Sequence, residues 1–166
     1  MTETLAPEED LCTNCGMCCD GTLFAYVEVA EDERAKVQEL FTLHLGKEGP
    51  IFHQPCNYNR DRKCAVYDDR PRTCRAYRCK TLSAFRSGEI TAPEASRRVA
   101  ETQRALEGIR PLLQDGETIS NARTRRAAAA AAPDRQKADM PFILKLTALD
   151  LMLDRYFRKA GKTMLS

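Results

Sequence analysis

Features that mark several large protein classes are missing from this sequence. No apolar run approaches the roughly 20 residues that a membrane-spanning helix requires, so we expect no membrane partner. The first ten residues are acidic and contain no apolar core, which argues against a secretory signal. No internal repeat is found. These absences predict a cytoplasmic protein.

Recognisable catalytic motifs are also missing. The sequence contains no nucleophile elbow, no phosphate-binding loop and no paired-carboxylate motif. The sequence therefore favours a protein that is not an enzyme. It identifies no small-molecule substrate and no catalytic residue.

Cysteine, in contrast, is abundant and unevenly placed. The chain has eight cysteines among 166 residues, and all of them lie between Cys12 and Cys79. Because the cytosol keeps thiols reduced, this number indicates metal binding rather than disulfides. The distribution predicts a metal-binding module at residues 10–82 and a helical extension at 83–166, packed together as a single compact unit.

The spacing of the cysteines suits two metals equally well. Three cysteines spaced three residues apart lie on one tight loop or helical turn, which is how proteins hold three corners of a [4Fe-4S] cluster. Zinc also accepts four thiolates. Eight thiolates divide naturally into two sets of four, so two metal centres are conceivable. The candidate ligands are Cys12, Cys15, Cys18, Cys19, Cys56, Cys64, Cys74 and Cys79.

Cys18 and Cys19 are adjacent in sequence, and adjacent side chains diverge in most backbone conformations. We therefore expect the two to serve different partners, one in the first cysteine block (residues 11–21) and one in the second (residues 51–79). Basic residues surround the later cysteines and can offset thiolate charge. They are Arg70, Arg72, Arg75, Arg78 and Lys80.

The secondary-structure pattern predicts a mainly α fold, with an irregular, metal-organised N-terminal half that contains little sheet. In that half we expect an extended piece at 24–29, a helix from about 30 to 45, a turn at 60–63 and a short strand at 64–67.

Helices dominate the second half of the prediction. Thr91 to Glu94 has the spacing of a capping box, and helical periodicity follows to about residue 113. An alanine-rich helix is expected at 121–132. A last helix begins near Met140 and ends at Gly161, and its apolar face consists of Phe142, Leu146, Leu149, Leu153 and Tyr156.

The cysteine block resembles a known family. Cys12-x2-Cys15-Gly-x-Cys18-Cys19 is similar to the signature of the CxxCxxCC family of zinc- or iron-chelating proteins, and the run from Cys64 through Arg70-Pro71 to Cys79 resembles its second signature. The resemblance covers about residues 11–80 and implies a small metal-binding protein, often one with an iron–sulfur cluster. A flagellin lysine methylase carries a related block, so a metal-organised enzyme is an alternative. However, no glycine-rich loop for S-adenosylmethionine is present.

Other residues leave alternatives open. His53 precedes Cys56 by three residues and is a ligand candidate or an ordinary histidine, whereas His44 is expected on a helix in solvent. The basic stretch 60–80 and the patch Arg123–Arg126 raise nucleic acid as a partner, but thiolate charge explains the first without it.

The sequence therefore predicts a metal-binding protein in redox chemistry, metal sensing or metal handling. The alternative is a structural zinc module whose helical half binds a protein or, less expected, nucleic acid.

Overall fold

The computed structural model describes residues 7–159, which form two compact units. We call residues 16–78 the sheet unit, and residues 7–15 with 79–159 the helical unit. Helices provide most of the regular structure, so the mainly α prediction is confirmed. The predicted division at 10–82 and 83–166, and the packing of both halves into one compact unit, stay predictions.

The short strands all lie before residue 65, and the described chain beyond them is helical. The helices are α1 (Pro7–Cys15), α2 (Arg34–Val37), α3 (Arg72–Ala76), α4 (Lys80–Arg86), α5 (Ala92–Ile109), α6 (Ile119–Ala130), α7 (Pro133–Ala138) and α8 (Met140–Tyr156). The strands are β1 (Tyr26–Glu28), β2 (His44–Leu45), β3 (Pro50–His53), β4 (Asn59–Arg60) and β5 (Lys63–Cys64). Short 3-10 segments lie at Glu31–Glu33 and Arg110–Leu112.

The helical unit is built around α5 and α8, which pack against each other. As predicted, α5 begins at a cap, because the Thr91 hydroxyl accepts a hydrogen bond from the Glu94 amide at 3.4 Å. Four residues of the predicted apolar face of α8 are buried, whereas Tyr156 is half-buried. The helix ends at Tyr156, before its expected end at Gly161, which lies outside the described residues. Among residues 7–159, no helix is long and apolar enough to cross a membrane.

In the sheet unit, three antiparallel strands have the order β1-β3-β2. One face of this sheet is buried, because Val27, Val29, Val37 and Phe52 form an apolar cluster. The expected extended piece at 24–29 therefore exists as β1, in a shorter form.

The predicted helix from about 30 to 45 is wrong beyond its first turns. The chain forms a 3-10 segment and the four-residue α2, and then β2 pairs with β3. The helix was predicted because Val37, Leu40, Phe41 and Leu45 have helical spacing. These residues do not share one buried face, since Val37 is buried but Leu45 is 92% exposed. His44 consequently lies on a strand, not on a helix.

Candidate metal centre

Four cysteine thiols form one electrostatically connected set within the sheet unit. They are Cys19, Cys56, Cys64 and Cys74. An electrostatic interaction links each of the six pairs among them. Cys56, Cys64 and Cys74 raise the pKa of Cys19, Cys56 and Cys64 raise that of Cys74, and Cys64 raises that of Cys56. These residues come from four separate segments of the chain, so folding alone brings them together.

A backbone hydrogen bond holds the segments of Cys19 and Cys56 together. The Cys56 amide donates a hydrogen bond to the Cys19 carbonyl at 2.8 Å. Cys19 itself is fixed by a tight turn in which its amide donates to the Gly16 carbonyl at 3.0 Å. Gly16 has a φ of +69°, and a Cβ there would lie 2.9 Å from the Arg62 side chain. This turn therefore requires glycine.

A two-residue hairpin turn positions Cys64. Strands β4 and β5 pair with Asn59 opposite Cys64, and the turn residues Asp61 and Arg62 both have positive φ. Positive φ at both central positions is the geometry of a hairpin turn that matches the twist of its strands. The predicted turn at 60–63 is confirmed, whereas the predicted strand at 64–67 ends at Cys64.

Cys74 lies on α3, and two acidic residues hold that helix to the sheet unit. The Arg72 amide donates to the Glu33 carboxylate at 3.0 and 3.1 Å, and the Arg72 side chain pairs with Asp32 at 2.7 Å. The Thr73 hydroxyl also donates to the Glu28 carbonyl at 2.7 Å. The position of Cys74 thus depends on Glu33 as a helix cap, a role that the sequence analysis did not identify.

Burial sets the protonation of these thiols. It is the main cause that raises the pKa of Cys19 to about 12 and that of Cys74 to about 11, and neighbouring thiols add to it. Burial also raises the pKa of Cys56. Opposing this, Arg70 lowers the pKa of Cys74. At neutral pH the unliganded thiols of Cys19, Cys56 and Cys74 are protonated, so a metal ion must displace protons to bind them.

Of the arginines that were expected to offset thiolate charge, Arg70 acts on Cys74. Arg72 is already paired with Asp32, and Arg75 lies 3.7 Å from Glu33. Arg78 donates to the carbonyls of Arg75 and Tyr77. Most of this basic stretch therefore fixes local structure.

The helical unit carries a second group of thiols. Cys12 and Cys15 lie three residues apart on α1, which places them on one face of that helix. Cys79 caps α4, and its sulfur accepts a hydrogen bond from the Leu82 amide at 3.3 Å. Burial is the main cause that raises the pKa of Cys79, and Cys12 adds to it.

The eight predicted ligands are thus found as four connected thiols in the sheet unit, three cysteines in the helical unit, and Cys18. Cys18 belongs to the sheet unit and is half-buried. Within residues 7–159, no three His, Cys, Asp or Glu side chains already form a ready-made ligand set for one metal ion. Metal ligation by these cysteines stays a prediction.

The aromatic and polar residues near the cysteines have packing and capping contacts. The Tyr58 hydroxyl donates to the Leu40 carbonyl at 3.0 Å, and Tyr77 packs edge-on against Phe24. The Asp20 carboxylate accepts from the Thr22 amide at 2.8 Å, as a turn cap does. These residues therefore have structural roles near the cysteines, in packing and in capping.

Arg70, which precedes Pro71, also has a local structural role. It donates to the Tyr67 carbonyl at 2.8 Å, and its guanidinium lies 3.5 Å from the centre of the Tyr67 ring. The loop before α3 is therefore fixed by a hydrogen bond and a cation–π contact.

The arginines of the basic patch Arg123–Arg126 form ion pairs within the chain. Arg123 is buried and contacts the buried Asp150 carboxylate at 2.8 Å. Arg126 reaches the other oxygen of Asp150 at 2.9 Å, and Arg125 pairs with Glu117 at 2.7 Å. The sequence could not reveal this, because Asp150 follows these arginines by more than 20 residues.

A sequence profile described as "Putative zinc- or iron-chelating domain", named CxxCxxCC, matches residues 11–102. No curated protein and no solved structure matches the chain. The matched region is more than half of the chain, and it contains all eight cysteines together with the connected set in the sheet unit. This chain therefore belongs to the CxxCxxCC family.

Proposed function

We propose that this chain is a metal-binding protein in which Cys19, Cys56, Cys64 and Cys74 hold one centre, either zinc or an iron–sulfur cluster. The observation that carries this proposal is the mutual interaction of all six pairs among the four thiols. Both centres take four thiolates, so the donor set fits either one.

The surroundings of the four thiols suit such a centre. All four are half-buried. Arg70 supplies positive charge beside Cys74, which offsets part of the negative charge that four thiolates would bring. When bound, zinc supplies a rigid tetrahedral junction, whereas an iron–sulfur cluster supplies one-electron redox chemistry.

Metal handling is the role we favour within this proposal. Every one of the eight cysteines is at least partly accessible, and Cys12 is exposed. Partial access allows a metal to enter and leave by exchange of thiolates. Redox chemistry, metal sensing and a structural zinc role are the alternative uses of the same centre. We also propose that the protein is cytoplasmic.

Metal analysis of anaerobically purified protein tests the proposal. Iron or zinc is expected in the wild type, and visible absorption separates the two, since an iron–sulfur cluster is brown with a band near roughly 400 nm. The Cys19→Ser variant is expected to lose the same equivalent of metal as Cys64→Ser and Cys74→Ser.

Cys12→Ser is the matched control, because it removes a thiol outside the connected set. It is expected to keep the metal equivalent that Cys19→Ser loses. Wild-type protein with intact thiols and neither metal would refute metal binding. Equal metal loss in Cys12→Ser and Cys19→Ser would refute the four-cysteine set.

A further inference from the structure

The only two histidines of the chain lie side by side, although their positions in the sequence differ by nine. His44 on β2 pairs with Ile51 of β3. Since alternate residues of a strand point to the same face, His53 shares that face with Ile51 and therefore with His44. The two ring centres are 4.8 Å apart, and both side chains are exposed.

From this pair we infer that His44 and His53 form a second, surface site for a divalent transition metal such as Ni²⁺, Cu²⁺ or Zn²⁺. Imidazole suits all three ions. The site consists of two imidazoles from adjacent strands, with water completing the coordination shell. It does not rest on the proposed function, because neither histidine belongs to the four-thiol set.

The separation of the rings fits chelation of one ion. A metal–nitrogen bond of about 2.0–2.1 Å places the ion about 3.2 Å from each ring centre. Two rings bound at 90° would then have centres about 4.5 Å apart, and at the tetrahedral angle about 5.2 Å apart. The observed 4.8 Å lies between these values.

The sheet supports the pair and adds charge of the right sign. Glu28 is opposite Ile51 on the other side of β3, so its exposed carboxylate shares the face of the histidines. The opposite face of the sheet packs in the apolar cluster that contains Val27 and Phe52. Because the backbone under the histidines is held by this core, the two rings need little reorganisation to bind a metal.

Retention of the untagged, anaerobically purified protein on immobilised Ni²⁺ tests the site. The wild type is expected to be retained and to elute with imidazole. His44→Asn and His53→Asn are each expected to weaken Ni²⁺ binding by about 100-fold or more, because the second imidazole of a chelating pair acts at a high effective concentration. The double variant, which keeps no imidazole, should bind at least as weakly as either single variant.

Two further measurements make the result decisive. Cys12→Ser, which removes an exposed thiol, should be retained like the wild type. In NMR spectra, Ni²⁺ should broaden the ring signals of both histidines at the same concentration. Unchanged retention in either single histidine variant, or separate broadening of the two rings, would overturn the inference.

The outcome is distinguishable from failure of the cysteine centre. The metal content of the purified protein is measured in the same samples, and it should be the same in His44→Asn as in the wild type. Loss of the cysteine-bound metal with retention on Ni²⁺ intact would leave the histidine site standing.

Discussion

Replacement of Asp150 by alanine should destabilise the protein more than any single surface change. The Asp150 side chain is fully buried, and one of its oxygens lies 2.8 Å from Arg123 and 3.0 Å from Arg158. Arg126 pairs with the other oxygen at 2.9 Å, at an angle that falls short of a hydrogen bond. Asp150→Ala would leave three buried or nearly buried guanidinium groups around one missing carboxylate.

The expected magnitude follows from that arrangement. Removal of one partner of a buried ion pair costs about 3–5 kcal/mol, because the remaining charge is left uncompensated in a medium of low dielectric. Arg158 keeps a second carboxylate, Asp154, at 2.8 Å, so the loss should lie toward the lower end. For a chain of this size, about 3 kcal/mol corresponds to a decrease in Tm of roughly 6–12 °C.

Thermal and urea unfolding of metal-loaded protein measures the effect, with Glu101→Ala as the matched control. Glu101 pairs with Arg97 at 2.7 Å, but both side chains are substantially exposed. Loss of such an exposed pair costs about 0–1 kcal/mol. If Asp150→Ala and Glu101→Ala reduce the free energy of unfolding by the same amount, the reasoning about the buried arginine cluster is wrong.

Three other changes test the local arguments. Burial opposes ionisation of Asp150, but the neighbouring arginines lower the pKa of this carboxyl overall. The wild type should therefore be more stable than Asp150→Ala by the full amount at pH 7, and the difference should shrink as the pH falls below about 4. A difference that stays constant to pH 2 would contradict this. Gly16→Ala should cost about 1–2 kcal/mol because of its positive φ, measured by urea unfolding; an unchanged midpoint would contradict the glycine requirement. Glu33→Ala should lower the free energy of unfolding by about 1 kcal/mol, because it removes the cap of α3. The same variant should retain metal more weakly. Glu31→Ala is the exposed control and should change neither stability nor metal retention.

Local interactions made several elements predictable. The cap at Thr91 and the buried face of α8 appear in the sequence because capping and helical periodicity involve residues only three or four positions apart. The turn at 60–63 could be predicted for a similar reason. The predicted helix from about 30 to 45 failed because its second part obtains its hydrogen bonds from β3, a partner that local periodicity does not reveal.

By itself, the sequence determined that this chain carries eight thiols in a family pattern and that its second half is helical. Both features depend on composition and on spacing between residues that are close in the sequence. Only the tertiary structure decided which groups meet. It placed Cys19 with the thiols of the second block, brought His44 beside His53, and buried Arg123 against Asp150. These contacts depend on how distant segments pack, and the energy that selects them is shared over the whole core.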